Sequence, residues 1–161
     1  MSDSKLAIVT GATGAIGGAI ARGIAADPRF EVLLLVRDAK KGSRVVDAVQ
    51  RATGNQRVRY ALVDLSLAAS IRSFAEQFDA PLNVLVNNAA VAPRSRQVTA
   101  EGHEREYRAL PENTLRIAAR SRVDLAKTAK SCSACWLFVA DRFNEHQGVL
   151  AHAVSSLRRQ R

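Results

Sequence analysis

Three glycines, at positions 11, 14 and 17, sit inside the octapeptide Thr10-Gly11-Ala12-Thr13-Gly14-Ala15-Ile16-Gly17. The apolar run Leu6-Ala7-Ile8-Val9 comes directly before it. A buried strand that enters a glycine-rich turn and leaves it as a helix is suited to hold a dinucleotide. One glycine permits the tight turn, one lets backbone approach a pyrophosphate, and one lets helix and strand pack closely. The helix behind the turn, expected over Ile16 to Ala26, offers free N–H groups and a partial positive charge to the phosphates.

Two further groups stand where such a fold binds ligands, just beyond strands. Val36-Arg37-Asp38 is followed by Lys40 and Lys41. An adenosine ribose would lie there. An acid alone suits a free 2′-hydroxyl, whereas a cation accommodates a 2′-phosphate, so Arg37 and its basic neighbours favour NADP(H) over NAD(H). Arg37 is alternatively an exposed strand-end charge. Val63-Asp64-Leu65-Ser66 follows a third strand. Asp64 is placed to accept from an adenine amino group, and Ser66 is a candidate helix N-cap.

The elements that would position these residues alternate. Strands are expected at Leu6–Val9, Glu31–Val36, Val58–Val63 and Leu82–Val86, and helices at Ile16–Ala26, Lys40–Thr53 and Ser66–Phe78. Near-continuous aliphatic strands are buried on both faces, as in a parallel sheet flanked by helices. The spacing is that of βαβ units. The fold class expected is α/β: a Rossmann-type doubly wound parallel sheet.

Composition sets outer limits. The chain of 161 residues is 47% hydrophobic and 24% charged, the profile of a globular domain rather than a disordered segment. No apolar run approaches the length of a membrane span. The N-terminus, Met1-Ser2-Asp3-Ser4-Lys5, shows no export signal, so a cytoplasmic or organelle-interior location is expected. The net charge is +9 and leans toward the C-terminal part. The final Arg158-Arg159-Gln160-Arg161 has no interleaved aromatics for stacking on bases, and no nucleic-acid partner is expected.

Beyond the fourth strand stands Val86-Asn87-Asn88-Ala89-Ala90. With it, T-G-A-T-G-A-I-G, V-R-D and V-D-L fall in an order and spacing that resemble the short-chain dehydrogenase/reductase family, above all its retinol-dehydrogenase-like and protochlorophyllide-reductase-like members. Thr99-Ala100-Glu101-Gly102, Glu104 and Tyr107 match the same branch. The 11-14-17 glycine spacing is that of the family's extended members, and Ala90 replaces the usual last glycine of the fourth-strand motif. The resemblance implies that Gly11, Thr13, Gly14, Ile16 and Gly17 line the pyrophosphate, and that Arg37 and Asp38 meet the adenosine ribose. It further places Asp64 and Leu65 beside the adenine, and Asn88 and Ala89 along the nicotinamide ribose. The activity it implies is NADP-dependent hydride transfer between a nicotinamide and an alcohol or carbonyl carbon.

The family's catalytic group is a Tyr with a Lys four residues later, a Ser that steadies the substrate oxygen and an Asn in the fourth helix. Tyr60 lies in a strand, Tyr107 is followed four residues later by Pro111, and Leu110 stands where the Asn belongs. No catalytic residue is assigned. The resemblance ends near residue 107, which divides the chain into an NADP-binding Rossmann half, 1–107, and a divergent tail, 108–161.

The tail reads as a helix over Pro111–Lys130, a fifth strand over Cys135–Ala140 and a last helix capped by Asn144. That gives a C-terminally truncated sheet of about five strands, with the order 3-2-1-4-5 open to it. An altered reading frame, a divergent terminus on a non-catalytic nucleotide-binding protein, and a different chemistry around Asp141, His146 and His152 all fit the tail. The alternative function is an inactive nucleotide-binding or interaction module that forms a homo-oligomer or pairs with a full-length relative. Cys132-x-x-Cys135 precedes His146 and His152, but the intervals miss a zinc finger's, and two reduced cysteines are expected, with no metal site.

Overall fold

The computed structural model describes residues 4–89 together with strand residues 129–132 and 135–139. The elements run β1 (Lys5–Thr10), α1 (Ala15–Ala25), β2 (Phe30–Val36), α2 (Ala39–Thr53), β3 (Val58–Leu62), α3 (Ala68–Gln77), β4 (Val84–Asn87), β5 (Ala129–Cys132) and β6 (Cys135–Val139). They form one sheet in the order β3-β2-β1-β4-β6-β5. The four strands β3, β2, β1 and β4 are parallel, with Ile8 of β1 opposite Leu33 of β2 and Leu85 of β4.

Strand alternation sorts the core into two layers. Ala7, Val9, Val32, Leu34, Val84 and Val86 pack with Ile20, Ala21 and Ile24 of α1 and Val49 of α2. Leu6, Ile8, Leu33, Leu35 and Leu85 pack on the other face with Ile71 and Ala75 of α3. The helices therefore cover both faces, which is the doubly wound Rossmann arrangement. Ile8, Val9, Leu33 and Leu34 are fully buried. Each such side chain stabilises the fold by about 1.5–3 kcal/mol relative to exposure.

Each helix has a local cause. Asp38, extended at φ −125°, accepts the Lys41 N–H and starts α2. Gly54, at φ 73°, ends it in the left-handed conformation, and its N–H returns to the Gln50 carbonyl. Asn55 then ties the helix layer to the sheet. Its buried amide donates to the carbonyls of Ala25 and Phe30, and its Oδ1 accepts the Arg57 N–H.

Several expectations are corrected. Helix α3 begins at Ala68 with Leu67 as its N-cap, so Ser66 does not cap it. The Ser66 hydroxyl and N–H both donate instead to Asp64 Oδ1, at 2.6 and 2.8 Å. Strand β3 is not buried on both faces. It is the sheet edge, and Arg59, Tyr60 and Leu62 are exposed there. Residues 129 and 130 belong to a strand, not to a helix through Lys130.

The strand at 135–139 occupies the place expected beside β4, but it runs antiparallel to it, with Val86 opposite Leu137. Strand β5 pairs antiparallel with β6. Among the described residues the sheet has six strands, against the expected number of about five, and the last two form an antiparallel extension. A helical reading of the tail before residue 129, the cap at Asn144 and the boundary at residue 107 lie outside the described residues.

Candidate dinucleotide site

The candidate residues gather at the carboxyl ends of the parallel strands. Strand β1 is flanked by β2 on one side and β4 on the other, so the chain reverses direction across the sheet at β1. A crevice opens beyond the carboxyl ends at such a switch point.

The turn after β1 separates the three glycines by what their missing side chains permit. Gly11 has φ 66°, a left-handed conformation that favours glycine. A Cβ there would lie 2.8 Å from Ala89 Cα and 2.9 Å from Asn88 Nδ2. Gly17 is as constrained: its Cβ would lie 2.6 Å from Asn88 Nδ2 and closer still to the Gly11 carbonyl oxygen. Gly14 differs. Its φ of −88° suits any residue, and a Cβ would meet only the Gly11 carbonyl oxygen, at an ordinary 3.5 Å. Packing among the described residues explains Gly11 and Gly17 but leaves Gly14 unexplained.

Gly14 is also the N-cap of α1, where no side chain caps the helix and no acid stands in the first turn. The N–H groups of Ala15, Ile16 and Gly17 have no acceptor within the helix. Thr13, Gly14 and Ile16 are exposed, and Ile16 retains 44% of its surface.

Thr10 joins this turn to β4. Its buried hydroxyl donates to the Val86 carbonyl at 3.1 Å and accepts the N–H groups of Asn88 and Ala89, both at 3.0 Å. Asn88 answers with its side-chain amide, which donates to the carbonyls of Thr10 and Gly11 at 3.2 and 3.3 Å. The structure therefore brings Gly11, Gly17, Asn88 and Ala89 together around Thr10.

Arg37 and Asp38 stand at the end of β2, both exposed. Asp38 Oδ1 lies 3.0 Å from the Lys41 nitrogen. The N–H of Lys41, first of all, holds the Asp38 carboxyl below its ordinary range, and that of Lys40 and the charges of Lys41 and Arg44 add to this. Asp64 and Leu65 stand at the end of β3. The Asp64 N–H donates to Ser70 Oγ at 3.0 Å. Leu65 is half-buried against the α3 layer.

The chain matches the family model for short chain dehydrogenase over residues 5–135. It belongs to the short-chain dehydrogenase family.

Polyprenol dehydrogenase of Mus musculus is 40% identical to this chain over 106 residues, covering 63% of this chain and 31% of that protein. Retinol dehydrogenase 11 of Homo sapiens is 42% identical over 103 residues, covering 62% of this chain and 32% of that protein. Protochlorophyllide reductase A of Hordeum vulgare is 35% identical over 103 residues, covering 60% and 26%. The chain spans about a third or less of the length of these relatives. Among solved structures, a short-chain dehydrogenase from Sphingobium yanoikuyae in complex with NADPH superposes with a TM-score of 0.59 at 26% identity. It covers 73% of this chain and 46% of that one.

Two residues of the site were not anticipated from the sequence. Thr10 was legible only as the first residue of the glycine octapeptide, because its partners lie 76 to 79 positions away. Asn87 is buried at the end of β4, and neither polar atom of its side chain has a hydrogen-bond partner. Doubled asparagine at a strand end was the available signal. Tyr60 packs against the α2 backbone: a Cβ on Gly42 would lie 3.1 Å from its ring. Among the described residues no group of His, Cys, Asp and Glu could hold a metal ion, and no helix is long and apolar enough to cross a membrane. Cys132 and Cys135 lie on β5 and β6, and His146 and His152 are outside the described residues.

Proposed function

We propose that this chain binds NADP(H) through residues 10–89 and forms the cofactor half of an oxidoreductase acting on an alcohol or carbonyl. One observation carries the reading: Gly14 is a glycine that neither its backbone conformation nor packing among the described residues requires, and it opens onto the uncapped start of α1. A pyrophosphate against that backbone supplies the missing reason.

In this reading Gly11 shapes the turn, and Thr13, Gly14 and Ile16 face the phosphates. Gly17 keeps α1 close enough to β1 for its N–H groups to reach them. Arg37 meets the 2′-phosphate, with Lys40 and Lys41 adding positive charge. Asp64 and Leu65 border the adenine, and Asn88 and Ala89 border the nicotinamide ribose. The bound nicotinamide supplies the hydride acceptor or donor. The NADPH complex of the Sphingobium relative supports a nicotinamide dinucleotide as the ligand, and the choice of NADP(H) rests on Arg37 and its basic neighbours.

The test is titration of the purified protein with NADPH and, separately, NADH, followed by thermal shift and nucleotide fluorescence. NADPH at 100 times its dissociation constant should stabilise the fold by about 2.7 kcal/mol. Gly14→Val should abolish the shift while the protein still melts cooperatively. A cooperatively melting wild type that binds neither coenzyme would overturn the proposal.

A further inference from the structure

The end of β2 holds an acid directly after a base, and the acid is the residue that decides how the site is read. Asp38 spends Oδ1 on the Lys41 N–H, as an N-cap does, with its own backbone extended. The Asp38 carbonyl also takes the Gly42 N–H at 2.9 Å, so the same residue closes the first turn of α2 through its backbone. That turn is fixed a second time from below. Gly42 is buried, and a Cβ there would lie 2.8 Å from Val36 Cγ2 and 3.1 Å from two ring atoms of Tyr60. The start of α2 is therefore held between a cap at one end and the surfaces of β2 and β3 on one side.

Given that the chain binds NADP(H) as proposed above, we infer that Asp38 is a positioning residue that does not bond the ribose. Its cap seats the first turn of α2, which carries Lys40 and Lys41, beside Arg37.

Three observations agree with this. One of the two carboxylate oxygens, Oδ1, is already an acceptor for the helix N-terminus, which fixes the orientation of the side chain. The carboxylate faces Lys41 and Arg44 along α2, so part of its charge is compensated within the element. The remaining exposed charges of the segment, Arg37, Lys40, Lys41 and Arg44, are all positive. An acid free to bond the ribose would repel a 2′-phosphate. An acid committed to a helix N-terminus leaves the strand end basic while keeping the cations in place.

The experiment compares three substitutions with wild type by measuring dissociation constants for NADPH and NADH separately, with a melting curve for each protein. Asp38→Ser and Asp38→Asn keep a capping side chain; Asp38→Ala does not. Seating by the cap predicts that the serine and asparagine variants keep the wild-type NADPH constant within about threefold and leave NADH unweakened. The alanine variant weakens NADPH by about fivefold or more, because the turn bearing Lys40 and Lys41 frays. A tenfold selective loss of NADH affinity in Asp38→Ser would mean that Asp38 bonds the ribose, and would overturn the inference. So would an alanine variant indistinguishable from the serine variant. The serine and asparagine variants settle the matter if the alanine variant folds poorly. A wild type that binds neither coenzyme defeats the proposed function instead, which keeps the two failures apart.

Discussion

The Gly17 backbone and the Asn88 side chain meet where a methyl group has no room: a Cβ on Gly17 would lie 2.6 Å from Asn88 Nδ2. Gly14, three residues earlier, has space for one. The two glycines of one motif therefore answer to different constraints, and substitution separates them.

Gly17→Ala should destabilise the protein by about 1–3 kcal/mol, because the Gly11 carbonyl and Asn88 must both move. Gly14→Ala should leave stability within about 0.5 kcal/mol, as expected for an exposed position that any residue can adopt. It should nevertheless weaken NADPH. Urea denaturation and nucleotide titration of both variants check this. Equal stability losses would contradict the assignment of separate roles.

Thr10→Val removes a hydroxyl that donates once and accepts twice, at nearly constant volume. The N–H groups of Asn88 and Ala89 then lose their acceptor. A loss of about 1–3 kcal/mol is expected for leaving part-buried donors unsatisfied, and Thr10→Ser should recover much of it. Chemical denaturation measures both.

Arg37→Glu should lower the preference for NADPH over NADH by at least about tenfold, since a cation that meets the phosphate becomes a repelling acid. Raising ionic strength should weaken NADPH more than NADH in the wild type, because exposed charges are screened. Fluorescence titrations in two salt concentrations give both comparisons.

The Asp38 cap carries a pH dependence of definite sign. Its carboxyl titrates below its ordinary range in the folded protein, chiefly because the Lys41 N–H holds the charged form. Its contribution is fully present above the unfolded value of about 4 and is lost as pH falls through the lower folded value. The difference in melting temperature between wild type and Asp38→Asn should therefore be constant near neutrality and shrink below about pH 4. A difference that grows on acidification would contradict the capping role.

Residues 5–87 were largely legible because their determinants are local. The glycine turn acts within a few residues and the strands are continuous aliphatic runs, whereas the capping of α2 by Asp38, a residue expected at the ribose, was not anticipated. The edge character of β3 was hidden, since Val58 and Leu62 look alike in sequence yet only Val58 is buried. Asp64 captured Ser66 and so moved the start of α3, a competition that capping preference alone does not resolve. The segment at 129–132 followed an apolar spacing read as helical, and its pairing with β6 overrides that pattern. The direction of β6 depends on the path between Ala89 and Ala129, which no local pattern specifies. Among the site residues, the glycines were visible as a motif. The clamp at Thr10 was not, because its meaning lies in residues far along the chain.

Strand β1 is made before the three strands it is grouped with and ends up between β2 and β4. Its partner β2 begins at Phe30, but its other partner, β4, begins only at Val84. During synthesis one side of β1 therefore waits, bare, until β4 has been made, and an unpaired strand edge invites foreign pairing. The glycine turn is complete by residue 17, yet its clamp closes only when Ala89 reaches the Thr10 hydroxyl. A nascent chain that ends between Gly17 and Ala89 carries the whole motif without the tie that holds it to the sheet. The order of synthesis thus delays a finished site long after its most recognisable residues have been made.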